Sequence, residues 1–413
     1  MGEALPPTRA AGLARLAEFV PRAAAYGERR NFDEGPDGPC HVSRLSPYLR
    51  TRLIAEDEVT AAVLRVHEAA TVRSFLNEVG WRTYFRGWLV RRPAVWRSYR
   101  GALAAAEAAL KAGPVAERHA RAIAGQSGFA CLDAWCDELR RTGYLHNHAR
   151  MWFASLWIYG LGLPWVLGAD FFQRHLVDGD AASNTLSWRW VAGLHTPGKR
   201  YLATAANIER FTRGRLRADF PPLNAALGPP AEPLGEALPL TEPEPPDRSR
   251  RTALLLTADD LGGLDRGPLK AAYAALDAAN RVPVALVALS GATRPLGTLG
   301  STAREFLDGA AADAGARLGA AGIDATIAVD PPADALADFA REHGVTQFLC
   351  AESVPGAAAD WLATAGAAWP DGRVAGLRSP WDHALWPHAS RGFFAFAPAL
   401  AAAGEALSRA TAP

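Results

Sequence analysis

The sequence predicts an all-helical domain followed by an α/β domain with a parallel sheet. Three observations lead to this fold class. In residues 1–218, apolar residues recur at three- and four-residue spacing, as along 74–90. Residues 250–408 instead alternate short apolar runs with helical segments, which is typical of parallel strands covered by helices on both faces. Between them, residues 221–247 contain nine prolines, which disfavour a helix and indicate an extended linker over 219–249.

The individual elements follow from the same patterns. In the first part, helical spacing is found in residues 13–25, 58–69, 74–90, 102–111, 131–141 and 150–160. The uncharged stretch 151–169 approaches the length of a membrane span, but it contains Gly160, Gly162 and Pro164, so we expect a buried helix, a turn and a second element. In the second part, strands are expected at 253–257, 282–289, 326–329, 347–351 and 374–377, with a last helix at 394–407.

Charge is unevenly distributed between the two parts. Residues 1–220 contain 30 Lys and Arg against 21 Asp and Glu, whereas the remaining residues contain 14 against 22. A basic first part indicates an anionic partner such as nucleic acid. Hydrophobic and charged fractions of 49% and 21% exclude a disordered chain. The four cysteines lack the spacing of a zinc or iron–sulfur site, so no metal is expected. Because the N-terminal residues lack the apolar core of a signal peptide, we expect a cytoplasmic protein.

Two segments of the first part combine polar and aromatic residues in patterns that suit a ligand. In 41–50, Ser43, Arg44 and Ser46 surround a helix start at Pro47. This arrangement suits a phosphate or diphosphate, although from this segment alone an ordinary helix cap is the favoured explanation. In 76–86, a helix would place Glu78, Trp81, Arg82 and Phe85 along one face. Such a face can stack and hydrogen-bond a nucleobase, or it can be an aromatic stripe of the core.

Two further segments carry His, Asp and Trp at close spacing. In 143–151, His146 and His148 point to different sides of a helix and do not form a metal pair, whereas Asn147 and Arg150 are spaced to reach one ligand. In 178–190, two acids, an Asn and two Trp fall close together. An EF-hand loop is the alternative, but the acids at its later positions are missing. The tryptophans of this region also suit core filling.

Taken in order, these segments resemble the FAD-binding catalytic domain of the DNA photolyase/cryptochrome family. The family's Thr-Ser-Arg-Leu-Ser-Pro-Tyr-Leu segment is similar to residues 42–49, with Val42 in place of Thr. Its Glu-x-x-Trp-Arg-Glu-Phe-Tyr-Arg helix is similar to 78–86, and its Gly-Trp-Met-His-Asn-x-x-Arg-Met segment to 143–151. Its Asp-Gly-Asp-x-Ala-x-Asn-x-x-x-Trp-x-Trp segment resembles 178–190. The resemblance implies an all-helical FAD-binding photolyase domain, followed by a Rossmann-like α/β domain.

The resemblance also assigns roles to single residues. FAD would be bound by Tyr26, Ser43, Arg44, Leu45, Ser46, Asn147, Arg150, Asp178, Asp180 and Asn184. Residues 43–46 would surround its phosphates, Arg150 and Asp178 would pair beside the isoalloxazine, and Asp180 would hold the flavin or its ribityl chain. Asn184 would face flavin N5, where Asn is typical of the repair enzymes. Trp165 and Trp188 match the inner two tryptophans of the family's electron relay.

The substrate implied by the resemblance is UV-damaged DNA. A flipped-out pyrimidine dimer would be lined by Glu78, Trp81, Asn147 and Met151. Contacts with the DNA would come from Arg30, Arg82 and His148. The implied activity is that of a deoxyribodipyrimidine photolyase, with catalysis served by Glu78, Trp81, Asn184, Trp165 and Trp188. Family enzymes for (6-4) lesions carry two adjacent His where this chain has His146-Asn147. We therefore expect cyclobutane dimers, whose opening needs no general acid.

Two features depart from the family pattern. The family's α/β antenna domain usually comes before the catalytic domain, whereas here residues 303–355 resemble its middle portion and follow the linker. A reversed domain order is therefore expected. The family's outermost relay Trp has no match, and Trp157, Trp152, Trp96 and Trp135 are the alternatives.

Other functions stay open at this point. A cryptochrome-like blue-light sensor would bind FAD without repairing DNA. The second domain could be a nucleotide-binding partner module, but it lacks GxGxxG and P-loop patterns. A second antenna chromophore of unknown identity is a further option. We expect a monomer without membrane association. Because every motif lies before residue 220, the second domain is expected to be dispensable for flavin binding.

Overall fold

The computed structural model describes residues 5–196, 199–291, 293–294 and 296–410. Helices come first, and each predicted periodic segment overlaps one of them. The helices are α1 (Arg9–Phe19), α2 (Tyr26–Arg29), α3 (Ser46–Arg50), α4 (Glu56–Leu64), α5 (Ala69–Val90), α6 (Pro93–Ala109), α7 (Pro114–Ile123), α8 (Ala130–Thr142), α9 (Asn147–Ser155), α10 (Trp165–His175), α11 (Ala181–Val191) and α12 (Ala205–Phe211). Helix α6 begins nine residues before its predicted start, and α7, α11 and α12 were not among the predicted segments.

The uncharged stretch 151–169 has the predicted broken form. Helix α9 continues into a π-helical turn over Leu156–Gly160, and α10 begins at Trp165 after Pro164. No helix among the described residues is long and apolar enough to cross a membrane.

Strands follow the Pro-rich segment. They are β1 (Thr252–Thr257), β2 (Arg281–Leu289), β3 (Thr293–Arg294), β4 (Gly297–Thr298), β5 (Asp324–Val329), β6 (Gln347–Ala351) and β7 (Arg373–Leu377). Five of them form a parallel sheet in the order β5-β2-β1-β6-β7, and β3 and β4 form a small hairpin. The helices of this part are α13 (Gly267–Ala274), α14 (Ser301–Ala320), α15 (Ala335–His343), α16 (Ala357–Ala367), α17 (Pro380–Leu385) and α18 (Phe393–Ala410).

The central strand β1 is buried on both faces, as its unbroken apolar run predicts. Leu254 and Leu256 face a cluster that includes α14 and the first helices of the chain, whereas Ala253 and Leu255 face α15 and α16. Helix α14 therefore lies between the sheet and the helical part, and the Phe306 ring meets the Tyr48 ring edge-on at 5.7 Å between centroids.

The last two helices do not cover the sheet. Trp381, Phe393, Phe396 and Leu400 belong to the same core as α5, α6 and α8 to α11. The packing is close, because a Cβ on Gly80 would collide with a methyl of Leu400. The helical core is therefore built from both ends of the chain, and the sheet lies between them in sequence. This changes the expectation that everything after the linker is dispensable, since a truncation there removes part of this core.

A buried group of charges ties the C-terminal segment and the sheet to the helical part. Arg52, after α3, pairs with Asp382 on α17 and lies 3.8 Å from Asp260, beyond the carboxyl end of β1. The side chains of Arg52 and Asp382 are only 5% and 2% exposed. Arg50 donates to the Ala258 carbonyl at the same strand end. Because a buried ion pair tolerates little displacement, these contacts fix the sheet against α3.

Candidate functional site

Three polar side chains from distant segments meet at Asp178. The Ser46 hydroxyl donates to Asp178 Oδ2 over 2.5 Å, and Arg150 Nη2 donates to the same oxygen over 2.8 Å. Ser46 begins α3, Arg150 lies on α9 and Asp178 lies between α10 and α11, so only the fold unites them. The second oxygen, Oδ1, is buried without a hydrogen-bond partner among the described residues. Because such an oxygen is costly to leave unpaired, the site suits a ligand that donates to it.

The loop before α3 brings a second cation to this site. Arg44 adopts a left-handed backbone, with φ of 51°. Its guanidinium lies 5.1 Å from the Tyr144 ring centroid, and that of Arg150 lies 5.3 Å from the same centroid. Arg44 Nε is also buried without a hydrogen-bond partner in the described structure. Two guanidinium groups at one ring, beside the Ser43 and Ser46 hydroxyls, favour an anionic group such as a phosphate.

Asp180 and Asn184 occupy the start of α11. Asp180 caps this helix by accepting from the Ser183 backbone N–H at 2.8 Å and from its hydroxyl at 2.7 Å. Burial by itself raises the pKa of Asp180, but Arg82 and Arg86 beside it hold that pKa well below its usual range. Asn184 is buried, and its side-chain nitrogen donates to the Ala169 carbonyl over 2.8 Å. Both side chains are thus held in fixed positions before any ligand binds.

Helix α5 presents Glu78 at the edge of this region. Arg30 Nη1 donates to Glu78 Oε2 over 2.6 Å, and the two side chains are 36% and 31% exposed. Burial of the carboxyl raises the pKa of Glu78, and Arg30 opposes this shift. The Arg30 guanidinium also lies over the Tyr26 ring, at 5.8 Å from its centroid. The structure therefore brings together Tyr26, Arg30 and Glu78, which the sequence assigned to FAD, to the DNA and to the dimer, respectively.

Trp81 lies one turn after Glu78 on α5, and its ring has an unpredicted partner. Phe393 at the start of α18 stacks on it with the centroids 3.9 Å apart and the planes inclined by 11°. Trp81 also meets Tyr84 edge-on at 5.5 Å. Trp81 is only half-buried, so part of its ring stays accessible. The C-terminal helix therefore holds the orientation of this ring.

The residues predicted to contact DNA are placed differently from one another. Arg82 is not on the open surface, because it pairs with Glu56 at 3.0 Å and with Asp180 at 3.4 Å and its side chain is 11% exposed. His148 is half-buried against the Phe211 ring, at 5.8 Å between centroids. Burial, reinforced by His146, lowers the pKa of His148 to about 4, so this ring is uncharged at neutral pH. Asn147 is exposed and Met151 half-buried.

No cluster of metal-ligating side chains is found in the described parts of the chain.

Comparison with protein families identifies this helical region. Residues 75–213, which contain most of α5 together with Asn147, Arg150 and Asp178, match the family described as the FAD binding domain of DNA photolyase. This part of the chain is similar to the FAD-binding domain of the DNA photolyases. FAD is therefore the cofactor of this domain.

Individual relatives and a solved structure are similar to part of this chain. The deoxyribodipyrimidine photo-lyase of a Synechococcus strain is 30% identical over 226 residues, which cover 50% of this chain and 43% of that protein. A cryptochrome DASH of Gloeobacter violaceus is 30% identical over 188 residues, covering 44% and 37%. Among solved structures, a class III photolyase of Agrobacterium tumefaciens is similar at 26% identity, with a TM-score of 0.41 over 49% of this chain and 42% of that one. The matched part is less than half of these relatives' length.

The side chains of this photolyase-like domain fit FAD. Among the described residues, the buried polar atoms without a partner at this site include a carboxylate oxygen of Asp178 and the Arg44 Nε. They combine an acceptor with a donor, as a flavin and a diphosphate require. The Ser46–Asp178–Arg150 contacts pre-form one side of the site. The individual assignments of the ten predicted FAD residues stay predictions.

The tryptophans predicted for the electron relay lie in one aromatic core. Trp188 is 2% exposed and meets Phe172 edge-on at 5.1 Å. The ring of Trp165, at the start of α10, lies 5.6 Å from that of Tyr99, measured between centroids. The Tyr99 ring in turn lies 5.3 Å from that of Trp96. Of the four alternatives for the missing outer tryptophan, Trp96 is thus joined to Trp165 through Tyr99. Trp157 instead contacts Trp188 at 6.4 Å, and Trp135 stacks on Trp152 at 5.7 Å.

Sequence reasoning missed three residues near this site. Arg86, which lies 3.7 Å from Asp180, falls four residues after Arg82, so helical spacing could have identified it. Tyr99 falls three residues after Trp96 on α6, which is the same kind of signal. Phe393 is more than 300 residues from Trp81, and no local pattern connects them.

Proposed function

We propose that the chain is a light-driven DNA repair enzyme that splits cyclobutane pyrimidine dimers. One feature of the structure supports this most directly. Helix α5 joins the two halves of the site. Arg82 and Arg86 hold Asp180 on the cofactor side, while Glu78, one turn before Arg82, and Trp81, directly before it, remain partly accessible. A flavin and an extruded base bound to these residues would therefore be neighbours on one helix.

The residues of the chain have separate tasks in this proposal. Arg44 and the Ser43 and Ser46 hydroxyls would bind the phosphates of FAD. The Arg150–Asp178 pair would fix the isoalloxazine, and Asp180 the ribityl chain. Reduced FAD, when bound and illuminated, supplies the electron that opens the cyclobutane ring. The remaining task of the protein is to orient the dimer and exclude water.

Glu78 and Trp81 would hold the flipped-out dimer. A partly desolvated carboxyl beside Arg30 would hydrogen-bond the polar edge of a pyrimidine, and the accessible part of the Trp81 ring would offer a stacking surface. Extrusion of a dimer costs less than extrusion of an intact base pair, because the lesion is poorly stacked and paired. The excess of basic residues in 1–220 would supply salt-dependent affinity for the DNA backbone.

The decisive experiment compares light and dark on a single-lesion oligonucleotide. The full chain, loaded with FAD and chemically reduced, is mixed with a duplex that contains one cyclobutane thymine dimer. We expect restoration of the intact thymines in blue light and none in the dark. A parallel duplex with one (6-4) lesion should stay unrepaired. Asn147 cannot act as a general acid, and the lowered pKa of His148 keeps it from being the imidazolium that would act as one at neutral pH. Restoration of the (6-4) duplex alone would contradict the assignment of the lesion.

A cryptochrome-like sensor is the second candidate, because a cryptochrome DASH is among the relatives and the outer relay Trp has no match in sequence. In a sensor, FAD would bind and respond to light, but neither lesion would be repaired. The same light-and-dark experiment therefore separates the two functions.

We further propose that the parallel-sheet region is an antenna-type domain that follows the FAD-binding domain. Its strand order, β5-β2-β1-β6-β7, is that of a Rossmann-like sheet. The predicted boundaries of 1–218, 219–249 and 250–408 need one qualification, because α17 and α18 pack with the helical core. Whether this domain holds a second chromophore can be tested by extracting the purified protein and identifying every released chromophore by mass spectrometry.

A further inference from the structure

Phe394, at the start of α18, is the most exposed large apolar side chain among the described residues. It is 90% exposed, whereas the next value among them, that of Val66, is 60%. Its neighbours on the helix, Phe393 and Phe396, are buried. Single exposed apolar residues are common on proteins, so its exposure alone has no functional meaning. Two features set Phe394 apart from other exposed apolar residues, namely its rigid backbone and the arginines beside it.

The backbone that carries Phe394 is held in place from several sides. Phe393, directly before it, stacks on Trp81 at 3.9 Å. The Tyr84 hydroxyl donates to the Arg391 carbonyl over 2.7 Å, and Arg92 Nη2 donates to the Ser390 carbonyl over 2.9 Å. These bonds fix the turn that precedes α18. Phe394 is therefore presented on a rigid support and does not lie on a free chain end.

The same support carries exposed positive charge next to the lesion side of the site. Arg391 is exposed and precedes Phe394 by three residues. Arg91 donates to the Pro387 carbonyl over 2.9 Å, which brings a second guanidinium to this segment. An apolar side chain flanked by Arg is the combination that proteins insert between DNA base steps. The position beside Trp81 continues the surface where the proposed function places the flipped-out dimer.

We propose that Phe394 is a DNA wedge, which enters the gap that the extruded dimer leaves in the duplex and stacks on an exposed base. This inference rests on the proposed function. The occupant of the surface is damaged double-stranded DNA, because the wedge has a gap to fill only when a dimer has been extruded. Arg391 would contact the phosphates that flank the gap, and its contribution would weaken as the salt concentration rises.

Binding measurements in the dark test this inference without repair taking place. The full chain loaded with FAD is titrated into duplexes with and without one cyclobutane dimer. An aromatic side chain that stacks on a base typically changes affinity by roughly 5- to 100-fold. We expect Phe394→Ala to bind the damaged duplex roughly 5- to 100-fold more weakly than wild type, and to lose much less affinity for the undamaged duplex. Phe394→Trp should keep the affinity of wild type for the damaged duplex. Ile327→Ala is the matched control, because Ile327 is an exposed apolar residue of edge strand β5.

A second readout reports stacking directly. With 2-aminopurine opposite the dimer, the fluorescence of the unstacked base should be quenched by wild type and by Phe394→Trp, and should stay high with Phe394→Ala. If wild type discriminates the damaged duplex and Phe394→Ala binds it equally well with equal quenching, the wedge is refuted and the proposed function stands. If wild type does not discriminate the damaged duplex, both the proposed function and the wedge fail.

Discussion

Asp178→Asn is expected to weaken FAD binding by about 10- to 100-fold. The substitution keeps the size of the side chain but removes the charge that accepts from Ser46 and Arg150. A hydrogen bond to a charged group contributes about 1.5–3 kcal/mol, and each 1.4 kcal/mol corresponds to about tenfold in affinity. The Asp178 and Arg150 side chains are 3% and 25% exposed, so water replaces the lost interaction only in part. The variant thus leaves a cation unpaired beside the expected isoalloxazine position.

The assay is a titration of flavin-free protein with FAD, followed by flavin fluorescence or calorimetry. Arg150→Ala, which removes the other partner, should also release much of the flavin. Asp170→Asn is the matched control, because Asp170 pairs with Arg174 at 2.7 Å and its side chain is 1% exposed, yet it is not among the predicted cofactor residues. The control should lose stability but keep its FAD affinity. If Asp178→Asn is folded and binds FAD as tightly as wild type, the placement of the cofactor beside Asp178 is wrong.

Four further outcomes are expected. Trp188→Phe should slow the light-driven reduction of bound FAD, measured by flavin absorbance, while repair by chemically reduced protein continues; unchanged photoreduction would indicate another electron route. Asp382→Ala should lower the free energy of unfolding by about 3–5 kcal/mol, because it leaves Arg52 as a buried charge without its closest partner; a thermal melt of equal midpoint would contradict this. The pKa of Asp382 is lowered in the folded protein, since Arg52 and Arg86 outweigh its burial. Its stabilisation should therefore be complete above the unfolded pKa of about 3.9 and be lost as the pH falls further, and urea unfolding of Asp382→Asn should show a smaller loss over that range. Glu78→Gln should reduce repair of the cyclobutane dimer in light more than it reduces FAD content, and an equal loss of both would place Glu78 in the cofactor site instead.

Much of the fold could be predicted from local sequence. The helices α5, α8 and α9 and the strands β1, β2 and β6 overlap the segments that periodicity indicated, because burial of one stripe or of both faces imposes a pattern on neighbouring residues. The break in 151–169 was predictable for the same reason, since Gly and Pro act on their own backbone. Helix α11 is capped by Asp180, as an acid directly before a helix suggests.

The site was only partly predictable. Local order along the chain identified the four segments, and it determined that Glu78, Trp81 and Arg82 share a helix. It did not reveal that Arg82 forms ion pairs with Glu56 and Asp180, or that the pKa of His148 is lowered. The ion pairs and the pKa shift both depend on neighbours from other segments. The burial of Arg82 means that a contact with DNA would require one of its ion pairs to open.

The sequence alone thus determined the two kinds of structure, their order along the chain and the segments that are predicted to form the cofactor site. Only the tertiary structure decided that α17 and α18 return to the helical core, where Asp382 pairs with Arg52 and Phe393 stacks on Trp81. The physical reason is that the periodicity of a helix shows that it has an apolar face, but not which surface covers that face. Contacts across more than 300 residues of chain depend on shape and charge complementarity, which exist only once both surfaces have formed.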